Sequence, residues 1–352
     1  MKRIGRILKG KNMKAAVFHG TEKGILIEDI PVPEIGENDI LVKVAACGAC
    51  HTDLHYIEHG IPTFKAPPIV LGHEASGVIE KAGANVTHLA EGQRVLIPAV
   101  LTCGRCSYCR AGRENICSDM KMLGNHFDGA YAEYVAVDAK DVLALPDSIP
   151  LEEASIIADA LSTPFHAVKN RAKVRPGDTV VVYGCGGVGI NAVQIATACG
   201  ATVIAVDMND EKLKWAKEFG AMHTINAGDV ERVSKEVKKM TGGGADIAIE
   251  VIGNPRTIEE AFECCRIGGR LCVVGYTHEK INIVAGKIMF KEMEITGSLG
   301  CPPGEYVPLI KMVENGQIDL QKIVTHRFAL DDIQGAFDVM KEGKSLRSIV
   351  IP

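Results

Sequence analysis

The segment Gly184-Cys185-Gly186-Gly187-Val188-Gly189 follows the apolar run Thr179-Val180-Val181-Val182-Tyr183 and opens a helical stretch that continues through Ile195 and Ala198. Few sequences constrain a fold more. Glycines between a buried strand and a helix let backbone N–H groups approach a pyrophosphate at the helix N-terminus. Further apolar runs at 202–206 and 271–274 alternate with helical segments such as 210–219. Continuous apolar strands alternating with helices mean a parallel sheet covered on both faces, here a Rossmann doubly wound sheet. Asp207 ends the next strand, 18 residues after Gly189, where a carboxylate binds the adenosine ribose hydroxyls and repels a 2′-phosphate. Gly184, Gly186, Gly187, Val188, Gly189 and Asp207 are therefore the candidate NAD-binding residues, with NAD expected over NADP. The competing reading is a plain glycine turn with an N-capping Asp. Cys185 reads as a small buried residue rather than a redox switch, since nothing nearby lowers its pKa.

At 352 residues the chain is long enough for two domains. A net charge of −5 argues against a general binder of nucleic acid or of anionic membranes, and no apolar run reaches the roughly 20 residues that span a bilayer. Residues 1–12 are basic, but their apolar stretch is too short and broken for a secretory signal. They read as a flexible tail, or alternatively as a basic targeting segment. Twelve cysteines without a secretory signal imply a reducing, cytoplasmic setting, with some ligating metal and the rest buried.

From residue 13 to about 159 the pattern changes to short β-rich runs broken by Gly and Pro, among them 40–44, 75–79 and 94–97. Within this half lie Cys103, Cys106, Cys109 and Cys117, spaced Cys-x2-Cys-x2-Cys-x7-Cys. Four thiolates this close can wrap one tetrahedral Zn²⁺, and a closed all-thiolate site is structural. Two local disulfides are the alternative. A nucleic-acid zinc ribbon usually has a longer insert between its two Cys-x2-Cys knuckles.

Two more clusters, Cys50-His51-Thr52-Asp53-Leu54-His55 and Gly72-His73-Glu74, are dense in metal-ligand and proton-transfer residues. Either alone reads equally well as a satisfied core cluster. Taken with the cysteine lobe and the glycine loop, in this chain order, they resemble the zinc-dependent alcohol dehydrogenases of the medium-chain dehydrogenase/reductase superfamily. The resemblance covers nearly the whole chain from Met13. It implies an α/β protein with an irregular β-rich, GroES-like catalytic domain (residues 13–163 and 300–352) and an NAD-binding Rossmann domain (164–299).

It also implies that Cys50 and His73 ligate a catalytic zinc, with Glu74 behind it, giving two zinc ions per chain with the four-cysteine site. Many relatives place the third ligand, a cysteine, where this chain has Asp159. Asp binds zinc well, and certain bacterial secondary-alcohol dehydrogenases of the family use it there. The resemblance further places Thr52 and His55 in a proton path through the cofactor ribose, His51 near the pyrophosphate, and Thr163 and Val274 at the nicotinamide. Lys212 falls at the ribose and Arg347 at a phosphate. Cys47 is a further candidate ligand, but the Cys-His-Thr-Asp register assigns the metal to Cys50, and Cys199, Cys264, Cys265, Cys272 and Cys301 read as core residues.

The implied reaction is reversible hydride transfer between an alcohol and NAD. Pro98-Ala99-Val100-Leu101-Thr102 falls where the family builds a wall of the alcohol pocket, and its aliphatic Val100 and Leu101 point to secondary, cyclic or bulky alcohols. Ala158-Asp159-Ala160-Leu161-Ser162-Thr163-Pro164, Gly124-Asn125 and Gly297-Ser298-Leu299-Gly300-Cys301 also resemble the subgroup that oxidises cyclic hydroxyacyl-CoA thioesters. A non-enzymatic cofactor-binding protein and a zinc-free quinone reductase are disfavoured by Cys50, His73, Thr52 and His55. Relatives join Rossmann sheets edge to edge, so 293–300 is a candidate dimer strand in a homodimer or homotetramer.

Overall fold

The computed structural model describes residues 10–352. Two compact units emerge, one running to Ala160 and resuming at Pro302–Pro352, the other Leu161–Cys301. Of the expected tail, residues 1–9 lie outside the described residues, and Asn12 already opens the strand Asn12–Phe18.

The first unit is organised around the strand Asp39–Gly48. It pairs antiparallel with Glu74–Ala82, with Tyr134–Asp138 and with Arg347–Ile351, the last bringing the end of the chain back to this unit. Beyond these neighbours, Arg94–Ile97, Leu143–Ala144 and Val324–Ala329 complete a seven-stranded sheet. A strand with partners on both edges and cover on both faces buries nearly every residue. Ile40, Leu41, Val42 and Val44 are all buried, and Lys43 alone among 40–44 is exposed. That is why this strand reads in sequence as an apolar run and not as an alternation. Asn12–Phe18 pairs with Ile25–Pro31 and Ile69–Val70 in a separate three-stranded sheet. Both sheets contribute to one core with Phe18, Ile79, Val95, Val135, Tyr131 and Phe337.

The second unit contains a six-stranded sheet, parallel throughout. Its spatial order is His223–Asn226, Thr202–Asp207, Thr179–Tyr183, Ala245–Glu250, Cys265–Val273 and Glu294–Gly297. Numbered along the chain this is 3-2-1-4-5-6, the doubly wound order whose ligand crevice opens where the order reverses, beside the first and fourth strands. Thr179–Tyr183 ends at that crevice and turns at Gly184, whose φ of +95° a side chain rarely adopts. The helix Gly187–Ala198 follows, with Gly186 as its N-cap. Among the described residues, no helix is long and apolar enough to cross a membrane.

Two glycines of this turn serve different ends. A Cβ on Gly189 would lie 1.8 Å from the Gly184 carbonyl oxygen, whereas one on Gly186 meets nothing within 4 Å. Gly189 closes strand against helix, and Gly186 leaves room above the helix N-terminus. Gly189→Ala should therefore cost about 1–3 kcal/mol by overpacking and lower NADH affinity. Gly186→Ala, whose φ of −75° suits any residue, should keep the wild-type melting temperature and lose only NADH affinity. Thermal denaturation paired with NADH fluorescence titration separates the two outcomes.

Candidate metal centre and nucleotide site

Antiparallel pairing fixes the first site. Gly48 lies opposite Glu74, so the chain leaving one strand at Cys50 meets the chain entering the other at His73. Asp159 arrives from the end of the 3-10 segment Glu153–Ala158. Its Oδ2 lies 3.6 Å from His73 Nε2 and 4.0 Å from Cys50 Sγ. One ligand atom each from Cys50, His73, Glu74 and Asp159 all fall within 4.8 Å of one another. Bond lengths of 2.0–2.3 Å around tetrahedral zinc put neighbouring ligand atoms roughly 3.3–3.8 Å apart. Among the described residues, His73 Nε2 and Glu74 Oε2 are buried there without a hydrogen-bond partner. Buried polar atoms with nothing to satisfy them, converging with a thiol and a carboxylate, fit a divalent metal ion.

Sequence reasoning did not foresee what surrounds this cluster. Asp53, fully buried, holds the turn through Cys50 N–H at 3.3 Å and faces His73 Nδ1 across 3.6 Å. Burial alone would lower the His73 pKa, but Asp53, Asp159 and Cys50 together raise it well above the usual imidazole value. Glu74 Oε1 accepts from the Arg347 guanidinium at 2.9 Å, and Arg347 also donates to the Ala49 carbonyl at 3.0 Å. Burial pushes the Glu74 carboxyl up to about 7 against the pull of Arg347. The role expected of Arg347 is a cofactor phosphate contact, and its surroundings here add a second partner. Its guanidinium is buried and committed to Glu74, a pairing across 273 residues that no local pattern announces. Gly48 is required here because a Cβ would lie 2.2 Å from Glu74 Oε2.

The proton-path residues occupy the helix His51–Ile57, which starts from Cys50. Thr52 Oγ1 lies 3.6 Å from Cys50 Sγ, and His51 is exposed. His55 is half-buried, with Nδ1 3.0 Å from His59 Nδ1. Burial, then the facing His59, hold His55 below the usual imidazole pKa. Of the expected pocket wall, Leu101 is buried in the core and Val100 is half-buried.

The four cysteines of the lobe converge without disulfides. Sulfur–sulfur separations are 3.5 Å for Cys106–Cys109 and 3.9 Å for both Cys103–Cys109 and Cys106–Cys117. A zinc tetrahedron with bonds near 2.3 Å has edges of about 3.8 Å. Backbone N–H groups point at the sulfurs as well, Cys106 to Cys103 at 3.3 Å and Asp119 to Cys117 at 3.3 Å. N–H groups of Cys109 and Ser118 bring Cys106 down to about 5, while desolvation pushes Cys109 up to about 12. The lobe fits a thiolate-bound ion.

In the second unit, Asp207 reaches back to the glycine loop. Its Oδ2 accepts from Cys185 N–H at 2.8 Å, and its Oδ1 from Met208 and Asn209 N–H at 2.8 and 3.0 Å. Asn209 caps the helix Asp210–Glu218 that carries half-buried Lys212. Cys185 is fully buried, and desolvation raises its thiol pKa, so it is no exposed redox group. Val274 follows the strand Cys265–Val273 at the crevice end of the sheet, and Thr163 lies in the short helix Ser162–His166.

Purified without chelator, the protein should carry two zinc ions per chain, one for each donor set. Asp159→Ala should retain the four-thiolate ion, lose the other and most turnover, and still bind NADH. Full turnover in that variant would remove Asp159 from the ligand set. Elemental analysis and NADH titration on the same preparation decide it.

Known proteins agree with this construction. A family model described as an alcohol dehydrogenase GroES-like domain matches residues 36–147, and one described as a zinc-binding dehydrogenase matches 187–315. The chain is 36% identical over 350 residues to a sorbitol dehydrogenase of Bacillus subtilis (strain 168), covering 97% of this chain and 98% of the relative. It is 34% identical over 340 residues to an alcohol dehydrogenase of Geobacillus stearothermophilus, with 96% and 99% covered. A zinc-binding dehydrogenase of Sinorhizobium meliloti 1021, solved with NADP bound, superposes with a TM-score of 0.88 at 31% identity, over 97% of this chain and 100% of that one. The chain belongs to the zinc-dependent medium-chain dehydrogenase/reductase superfamily and is an oxidoreductase that works with zinc and a nicotinamide dinucleotide.

Proposed function

We propose that the protein transfers a hydride reversibly between a secondary, cyclic or otherwise bulky alcohol and NAD, giving the ketone or aldehyde. The convergence of Cys50, His73 and Asp159, with His73 Nε2 buried and lacking a hydrogen-bond partner among the described residues, is the observation that carries the reading. Bound by these three residues, zinc supplies a Lewis acid for the substrate oxygen, and bound NAD supplies the hydride acceptor. The protein's own task is the proton. Thr52, beside the Cys50 sulfur, is assigned as the group that takes it from the alcohol. His55, half-buried on the same helix and held neutral at physiological pH by its lowered pKa, is the base that carries it towards water. Glu74 stands behind the ligands, with Arg347 offsetting its charge.

NAD preference follows from Asp207, with Met208 and Asn209 in place of any adjacent arginine. Because Asp207 also anchors Cys185 N–H, Asp207→Ser should both weaken NAD use and relax the bias against NADP. Comparable wild-type kcat/KM for the two cofactors would contradict the assignment. The edge strand Glu294–Gly297, with Ile295 and Leu299 exposed, supports pairing with a second copy in a homodimer or homotetramer. Twelve free cysteines suit a reducing, cytoplasmic compartment.

Substrate bulk is assigned from the segment 98–102, where half-buried Val100 stands and no Phe or Trp occurs. One buried methylene changes kcat/KM about 10–200-fold. A homologous series of primary, secondary and cyclic alcohols should therefore show rates rising steeply with bulk, ethanol being poor. Val100→Phe should compress that ranking, and an unchanged ranking would refute the wall.

A further inference from the structure

We propose that Tyr131 is a positioning residue for the metal centre, its hydroxyl fixing Asp53 so that the carboxylate's other oxygen can hold the His73 ring. The proposal rests on reading Cys50, His73 and Asp159 as zinc ligands. Tyr131 is fully buried, and its hydroxyl lies 2.8 Å from Asp53 Oδ2 and 3.1 Å from the Gly48 carbonyl. Burial, then the Asp53 charge, raise its pKa, so it remains a phenol that donates. That leaves Asp53 Oδ1 aimed at His73 Nδ1 across 3.6 Å, and neither atom has a hydrogen-bond partner among the described residues. An imidazole that ligates through Nε2 carries its proton on Nδ1, and that N–H needs an acceptor. Here Asp53 Oδ1 is the acceptor in place.

The ring acts on the same target from the other side. Tyr131 packs so closely on Gly72, the residue before His73, that a Cβ there would lie 2.9 Å from the ring. Backbone bonds hold Tyr131 in place, from its N–H to the Leu71 carbonyl at 3.1 Å and from Ala16 N–H to its carbonyl at 2.8 Å. Phe337 meets the ring edge-on at 6.0 Å. Tyr131 thus contacts both the chain that carries His73 and the carboxylate that orients its ring. An ordinary core tyrosine would contribute packing alone.

The test is Tyr131→Phe, which keeps the ring and removes the hydroxyl. Holoenzyme is challenged with an excess of a chromogenic zinc chelator, and release is followed as two zinc populations. Groups that orient metal ligands typically change metal affinity 10–100-fold, so one zinc should leave about 10–100-fold faster than in wild type. The four-thiolate zinc, held by a separate donor set, should leave at its wild-type rate and serves as internal control. Asp53→Asn should speed the same zinc, and adding Tyr131→Phe to it should bring no further increase, since Tyr131 acts through Asp53. Unchanged release of both ions, equal acceleration of both, or multiplying effects in the double variant would each overturn the proposal. A wild-type protein holding only the four-thiolate zinc would instead remove the ligand assignment, and the proposal with it.

Discussion

Everything at the metal centre depends on the antiparallel register that sets Gly48 opposite Glu74. In a sheet the side-chain period is two, so a slip of one residue would exchange the two faces of the strand, taking Ile40, Val42 and Val44 from the core they share with Phe18 and Tyr131 and putting Lys43 in their place. Each fully buried side chain of this size contributes about 1.5–3 kcal/mol, so the core specifies the register strongly. Cys50 and His73 sit just beyond the paired ends and inherit that precision. The C-terminal strand extends the same logic, since Ile349 lies opposite Gly48 and Arg347 therefore reaches the floor of the cluster. Residues scattered over nearly three hundred positions are assembled by one sheet.

The second constraint is charge. Cys50, Asp53, Glu74 and Asp159 gather four acidic groups in a space where Cys50, Asp53 and Glu74 are buried. Arg347 is ion-paired to Glu74 at 2.9 Å, and His73 faces both Asp53 and Asp159. Like charges at such range disfavour ionisation, which is one reason the Glu74 carboxyl titrates high. A divalent ion inverts that balance and allows thiol and carboxylates to ionise together. As a zinc ligand in place of a thiolate, Asp159 would preserve the charge of the proposed ligand set while presenting a harder oxygen donor.

Much of this was legible in the sequence because it is local. The runs at 94–97 and 179–183 coincide with the strands Arg94–Ile97 and Thr179–Tyr183, since buried strands are written as unbroken apolar residues. The apolar run at 271–274 covers only the end of the strand Cys265–Val273, whose earlier part carries Arg266, Gly268, Gly269 and Arg270. The candidate ligands were visible as motifs, and the structure brings together Cys50, His73, Glu74 and Asp159. What was not visible is non-local. Arg347 reads as a phosphate contact only through the family resemblance, Asp53 is one letter of a motif, and Tyr131 carries no signal at all. Their significance lies in contacts made across 273, 20 and 78 residues, which only the folded sheet reveals.

The proposed chemistry needs two distinct zinc sites in one chain, one closed by four thiolates and one built from Cys50, His73 and Asp159. Crystals grown without added metal, measured on both sides of the zinc absorption edge, test it most directly. Two anomalous peaks per chain are expected, one equidistant from Cys103, Cys106, Cys109 and Cys117 and one bonded to Cys50 Sγ, His73 Nε2 and an Asp159 oxygen. A single peak at the four cysteines, or a second peak away from Asp159, would contradict it.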